Sequence, residues 1–130
     1  MPIRVVQLGS RRAAREGLRL GTVRRPPRGV RKEDYAGRDY FDVWVPELAP
    51  SAPLIKWALS EPFTPSRWAR FTRKYRQEMR APLAQRLLQL LAGLSSTTNL
   101  SVGCYCADPS RCHRLLLGDL LEESGAVVFQ

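Results

Sequence analysis

Residues 99–129 read NLSVGCYCADPSRCHRLLLGDLLEESGAVVF. Asn99 to Cys106 is short and apolar, as a buried strand would be, and Ser110 to Glu123 spaces Leu115, Leu116, Leu117, Leu120 and Leu121 for a packed helix. Gly125 permits a turn into a last strand, Ala126 to Phe129. Strands separated by helices predict a parallel or mostly parallel sheet. Outward from this stretch the pattern repeats. Leu83 to Leu94 is nearly leucine throughout and predicts a well-buried helix ending at Gly93 or shortly after. Before it, Thr64-Pro65 opens a helix on which Trp68, Phe71, Tyr75 and Met79 recur at helical spacing, opposite Arg67, Arg70, Arg73, Lys74, Arg76 and Arg80. That aromatic stripe reads as core rather than as a platform for stacking bases. Ser51 caps another helix, with Pro53 in its first turn and Leu54, Ile55, Trp57, Ala58 and Leu59 on its apolar side.

Ile3 to Leu8 is a β-branched run that predicts the first strand, and Tyr40 to Val45, stopped by Pro46, predicts the second. Between them, Arg11 to Arg38 shows no sustained period and reads as a long ordered loop with a short helix at Arg12 to Gly17. The expectation is a small single-domain α/β protein spanning residues 1–130, its mostly parallel sheet flanked by helices.

Composition bounds the role. A chain of 130 residues with 44% hydrophobic content can bury one core, which excludes a disordered class, and no run approaches the ~20 apolar residues of a membrane span. Met1-Pro2-Ile3-Arg4 lacks the apolar segment of a secretory signal, so a soluble, cytoplasmic protein is expected. Three cysteines cannot all pair within one chain, and a reducing compartment keeps them as thiols or metal ligands. The net charge is +9, distributed as +7 over residues 1–40, +3 over 41–80 and −1 over 81–130. Such asymmetry attracts anions to the amino-terminal third, and 18 of the 21 basic residues are arginine, the fork-shaped donor that suits phosphate.

The segment Cys104-Tyr105-Cys106-Ala107-Asp108-Pro109-Ser110-Arg111-Cys112-His113-Arg114 joins a strand to a helix, where ligands of open α/β sheets bind. With Asp108 as N-cap and Pro109 as first helical residue, Cys112, His113 and Arg114 fall near the first turns, where free N–H groups favour an anion. Three chemistries compete there. Cys104, Cys106, Cys112 and His113 are a zinc donor set, although their spacing is not that of the usual fingers. A cysteine near a helix start beside Arg or His is an activated nucleophile. Cysteines on one face of a buried strand also serve simply as small apolar side chains, and His113 as the partner of a backbone carbonyl. The residue six after Cys106 is Cys112, not arginine, which departs from the phosphatase arrangement. His113 is the only histidine, so any imidazole chemistry uses it. No Walker loop, dinucleotide glycine fingerprint, HExxH or G-x-S-x-G occurs.

Taken together, Cys104 to Arg114, Pro27-Arg28-Gly29-Val30 with Lys32, Asp42 and Trp44 with Glu47 to Ser51, Trp57, and Trp68, Phe71, Tyr75 and Glu78 resemble the domain-of-unknown-function 488 family, whose members include YeaO-like bacterial proteins. The resemblance runs across nearly the whole chain. It implies a compact α/β fold and supplies no reaction. Cys106 stands where the family often carries an acidic residue. The expected site combines Cys112, His113 and Arg114 as chemical residues with Arg24, Arg25, Arg28, Lys32, Ser110 and Arg111 as ligand-binding residues. Its expected partner is an anionic small molecule or nucleic acid, and no metal or cofactor is assigned.

Overall fold

In a computed structural model describing residues 2–108 and 111–129, the run after Pro2 forms β1 (Ile3–Gln7). The carboxyl-terminal stretch forms β4 (Leu100–Cys104), α4 (His113–Glu123) and β5 (Val128–Phe129). Two short strands, β2 (Leu18–Gly21) and β3 (Val43–Trp44), complete a sheet of order β3-β2-β4-β1-β5. Every pairing is parallel, with Leu100 between Ile3 and Leu18, and Val102 between Val5 and Leu20. Three further helices, α1 (Ala52–Leu59), α2 (Pro65–Glu78) and α3 (Pro82–Leu94), lie between β3 and β4 in the chain. The fold is thus the small parallel α/β domain that the alternation of strands and helices predicts.

Side-chain alternation divides the sheet into two environments. Ile3, Val5, Leu20, Leu100 and Val102 share one cluster with Leu54, Tyr75, Leu88 and Leu117 from the four helices. Burial of such side chains contributes about 1.5–3 kcal/mol each. The alternate positions Arg19 and Ser101 meet the 10–42 segment instead. Arg19 is fully buried and forks onto Glu16, donating from Nε to Oε2 at 2.7 Å and from Nη2 to Oε1 at 2.9 Å. Its Nη1 donates to the carbonyls of Ser10 and Asp39, while Ser101 Oγ donates to Glu16 Oε2 at 2.8 Å. This network covers the sheet where helices do not.

The network also explains the largest departure from the sequence expectation. Residues 11–38 are not a periodless loop with a helix at 12–17: β2 runs through them, and residues 14–15 only turn. A four-residue strand carrying an inward arginine has no hydrophobic signature. Gly17, at φ +83°, makes the entry to β2, because a Cβ there would collide with the Asn99 carbonyl.

Other boundaries shift for local reasons. The strand expected over Tyr40 to Val45 contracts to Val43–Trp44, since Phe41 turns into a second apolar cluster and Asp42 accepts from the Arg19 N–H at 2.8 Å. β4 ends at Cys104, leaving exposed Cys106 beyond the strand and not on one strand face with Cys104. The last strand begins at Val128 rather than Ala126. α3 is not buried throughout: Ala84, Leu88, Leu91 and Ala92 face the core, and Leu83, Leu90 and Leu94 are exposed. Both serine/threonine-then-proline helix starts form as expected, with Ser51 Oγ accepting from the Leu54 N–H and Thr64 Oγ1 from the Arg67 N–H. Among the described residues, no helix is long and apolar enough to cross a membrane.

Candidate functional site

The carboxyl ends of β2 and β4 meet the start of α4. Thr22, just past β2, donates from its hydroxyl and its N–H to the Gly103 carbonyl, at 2.9 and 3.1 Å. Its own carbonyl accepts from His113 Nε2 at 2.7 Å. A carbonyl only accepts, so the proton sits on Nε2 and the Nδ1 lone pair is left facing Cys112 Sγ at 3.8 Å. α4 spans His113–Glu123 with Cys112 as its N-cap, whereas the sequence places the cap at Asp108 and the first helical residue at Pro109. Pro109 and Ser110 lie outside the described residues.

A cavity of about 450 Å³ opens above these strand ends, within the size range of small-ligand sites. Cys104, Cys106, Cys112 and His113 contribute to one side, and Ile55, Ala58 and Leu59 of α1 with Phe71 of α2 form an apolar wall. Arg24, Arg25, Lys56 and Arg111 also line it, and no carboxylate does among the described lining residues.

The wall is held by designed-in polar contacts. Glu78 at the end of α2 accepts from the Ser51 N–H at 2.9 Å and from its hydroxyl at 2.5 Å. Tyr75 Oη donates to the Leu48 carbonyl at 2.8 Å, and Arg24 donates to the carbonyls of Pro50 and Ala49. These bonds fix the approach to α1 and so the mouth of the cavity.

The expected site residues separate into groups. Arg24, Arg25, Arg111, Cys112 and His113 share the cavity. Arg24 braces the wall, and Arg111 lies over the Phe63 ring at 4.3 Å with Asp108 3.6 Å away. Arg28 is not at the cavity; it lines an adjoining groove with Arg25, Pro27, Tyr40 and Tyr105. Lys32 is exposed on a short 3-10 turn and is absent from the described lining of either hollow. Arg114 is 5% exposed and is not among the described lining of the cavity either, and its Nη1 has no hydrogen-bond partner among the described residues. It sits behind the cavity, close enough to couple electrostatically to Cys106 at its edge. Lys56 and Tyr105 went unrecognised in the sequence. For Lys56 the available signal was its place among Ile55 and Leu59, on a helix whose core contact is Leu54.

Electrostatics sort the chemistry. Burial, reinforced by Arg114 and opposed by the Thr22 carbonyl, lowers His113 to about 4, so its imidazole is neutral and a weak base at pH 7. Burial also raises the Cys106 thiol, against the pull of Arg114. Neither effect favours a thiolate–imidazolium pair of the kind thiol enzymes use. Burial and its Tyr35 and Tyr40 neighbours push the Tyr105 phenol up to about 12, and Tyr105 Oη donates to the Arg25 carbonyl at 2.9 Å.

A family profile described as "Active DUF488-N3 subclade" matches residues 3–125, which include every element lining the cavity. The chain belongs to the domain-of-unknown-function 488 family. Among curated relatives, it is 29% identical over 106 residues to the uncharacterized protein Rv3073c of Mycobacterium tuberculosis, covering 82% of this chain and 81% of the relative. The uncharacterized protein Mb3100c of Mycobacterium bovis gives the same identity and coverage. No solved structure matches the chain significantly.

Proposed function

We propose that the cavity binds a small anionic ligand with an apolar or planar body, of the phosphate-bearing, nucleotide-like class. The observation that carries this reading is the pairing of an apolar wall with four cations and no carboxylate among the described lining residues. Ile55, Leu59 and Phe71 would take the body of such a ligand. Arg25 and Lys56, which have no ion-pair partner among the described residues, would take its charge, while Arg24 and Arg111 are already engaged. A walled cavity suits a metabolite better than a polymer backbone tracked along an open groove.

Calorimetric titration with adenosine 5′-monophosphate, adenosine and inorganic phosphate tests the reading. The monophosphate is expected to bind more tightly than adenosine, by about tenfold or more from one charge-assisted contact. Arg25→Gln or Lys56→Gln should remove that preference and leave adenosine binding unchanged. Equal binding of monophosphate and adenosine, or variants that keep the preference, would overturn it. Tighter binding of a single-stranded oligonucleotide lacking a terminal phosphate would assign the surface to polymer instead.

A further inference from the structure

Anion binding leaves the sulfur cluster beside the cavity without a role. The Sγ atoms of Cys104, Cys106 and Cys112 lie within 4.8 Å of one another. In tetrahedral coordination with zinc–sulfur bonds near 2.3 Å, neighbouring sulfurs stand about 3.8 Å apart, so the three thiols are gathered closely enough to share an ion once the Cys104 and Cys112 sulfurs separate. The structure brings the Cys104 and Cys112 sulfurs together as a disulfide and leaves Cys106 free, yet the Cα atoms of the pair are 7.8 Å apart. That separation exceeds the roughly 4.4–6.8 Å a disulfide bridges, whereas two cysteines that share a metal keep their sulfurs apart.

His113 lies beside the three thiols, in contact with Cys112 but outside the group whose donor atoms all fall within 4.8 Å of one another. The Thr22 carbonyl accepts from His113 Nε2 at 2.7 Å, leaving Nδ1 unprotonated 3.8 Å from Cys112 Sγ. Metal-ligating histidines are oriented in this way, their other ring N–H held by a carbonyl or carboxylate. Consecutive ligands are awkward in a regular segment, but here the backbone changes course between them. Cys112 is extended, at φ −125° and ψ 142°, and His113 opens α4, so the two adjacent side chains stay within 3.8 Å of each other, Sγ to Nδ1.

We infer that Cys104, Cys106 and Cys112 form a binding site for a divalent transition metal with affinity for thiolates, zinc foremost, with His113 as the neighbouring donor that a small shift of its ring would bring in as fourth ligand. The inference stands on the sulfur and imidazole geometry and is independent of the anion reading. Metal binding deprotonates the thiols outright. Three thiolates and one zinc ion carry one net negative charge. The four cations lining the cavity exceed that charge and leave a positive balance for a ligand.

The test is titration of chelator-treated, fully reduced protein with cobalt(II). One cobalt per chain is expected, with thiolate-to-cobalt charge-transfer absorption and the intense visible bands of a tetrahedral site, displaced by one equivalent of zinc. Cys106 is exposed, so Cys106→Ser should fold, as circular dichroism can verify. It should lose at least the roughly 100-fold in affinity that removal of even an outer partner can cost. His113→Gln should shift the visible bands. Wild-type protein that develops no cobalt absorption, or a folded Cys106→Ser variant with unchanged affinity, would overturn the site. A disulfide between Cys104 and Cys112 that persists under the reductant would overturn it as well.

Discussion

Replacing Glu16 by Gln removes one charge from the ion pair that seats the 10–42 segment on the sheet. The partner, Arg19, is fully buried, and its fork onto Glu16 closes at 2.7 and 2.9 Å. Breaking such a pair from one side strands a buried cation and costs about 3–5 kcal/mol. A domain of 130 residues has roughly 7–20 kcal/mol in all, so the loss is a large fraction. It should lower Tm by about 10 °C. The pH dependence is a second signature. Burial pushes the Glu16 carboxyl up, but bonds from Arg19, Ser101 and the Ala13 N–H outweigh it and hold the group at about 2, against 4.5 ordinarily. As pH falls, the unfolded chain takes up this proton first. The stabilisation is therefore complete above pH 4.5 and is lost on the way to pH 2. Glu16→Gln has nothing to titrate there, so its gap from wild type should narrow by about 2 kcal/mol between pH 4.5 and 3. Urea unfolding at pH 7, 4.5 and 3 measures both effects. A gap under 1 kcal/mol at pH 7, or one that stays constant down to pH 3, would refute the reasoning.

Three further substitutions test the scaffold by the same unfolding assay. Gly17→Ala forces φ +83° on an alanine and drives its Cβ into the Asn99 carbonyl, and should cost about 2–3 kcal/mol, from strain plus displacement of the β2 entry. Tyr75→Phe leaves the Leu48 carbonyl without its donor and should cost about 1–3 kcal/mol. Ser51→Ala removes the α1 cap and the hydroxyl held by Glu78, with an expected loss of about 1–2 kcal/mol. A variant indistinguishable from wild type would show that the named contact carries no stability.

Elements with a strong local signature were legible in the chain. Ser51-Ala-Pro and Thr64-Pro announce two helix starts, and Trp68, Phe71, Tyr75 and Met79 recur at helical spacing, with the last three buried. β2 was not legible, because its arginine is neutralised by Glu16, itself held by the Ser101 hydroxyl, an approach no local pattern encodes. The site followed the same division. Cys112 and His113 stood out by residue type, and the fold does bring them to a cavity with Arg24, Arg25 and Arg111. Lys56 joins them only because Glu78 and Tyr75 anchor the segment before α1. Arg114 looked like a ligand-facing cation, yet the turn of α4 that presents His113 to Thr22 leaves Arg114 buried and off the cavity.

The most direct measurement is a crystal structure of the protein grown with adenosine 5′-monophosphate. The base or sugar is expected against Ile55, Leu59 and Phe71, with the phosphate in hydrogen-bond reach of Arg25 or Lys56. A nucleotide bound instead along the arginine-rich outer face of α2, with the cavity beside Cys104 and Cys112 empty, would contradict the assignment.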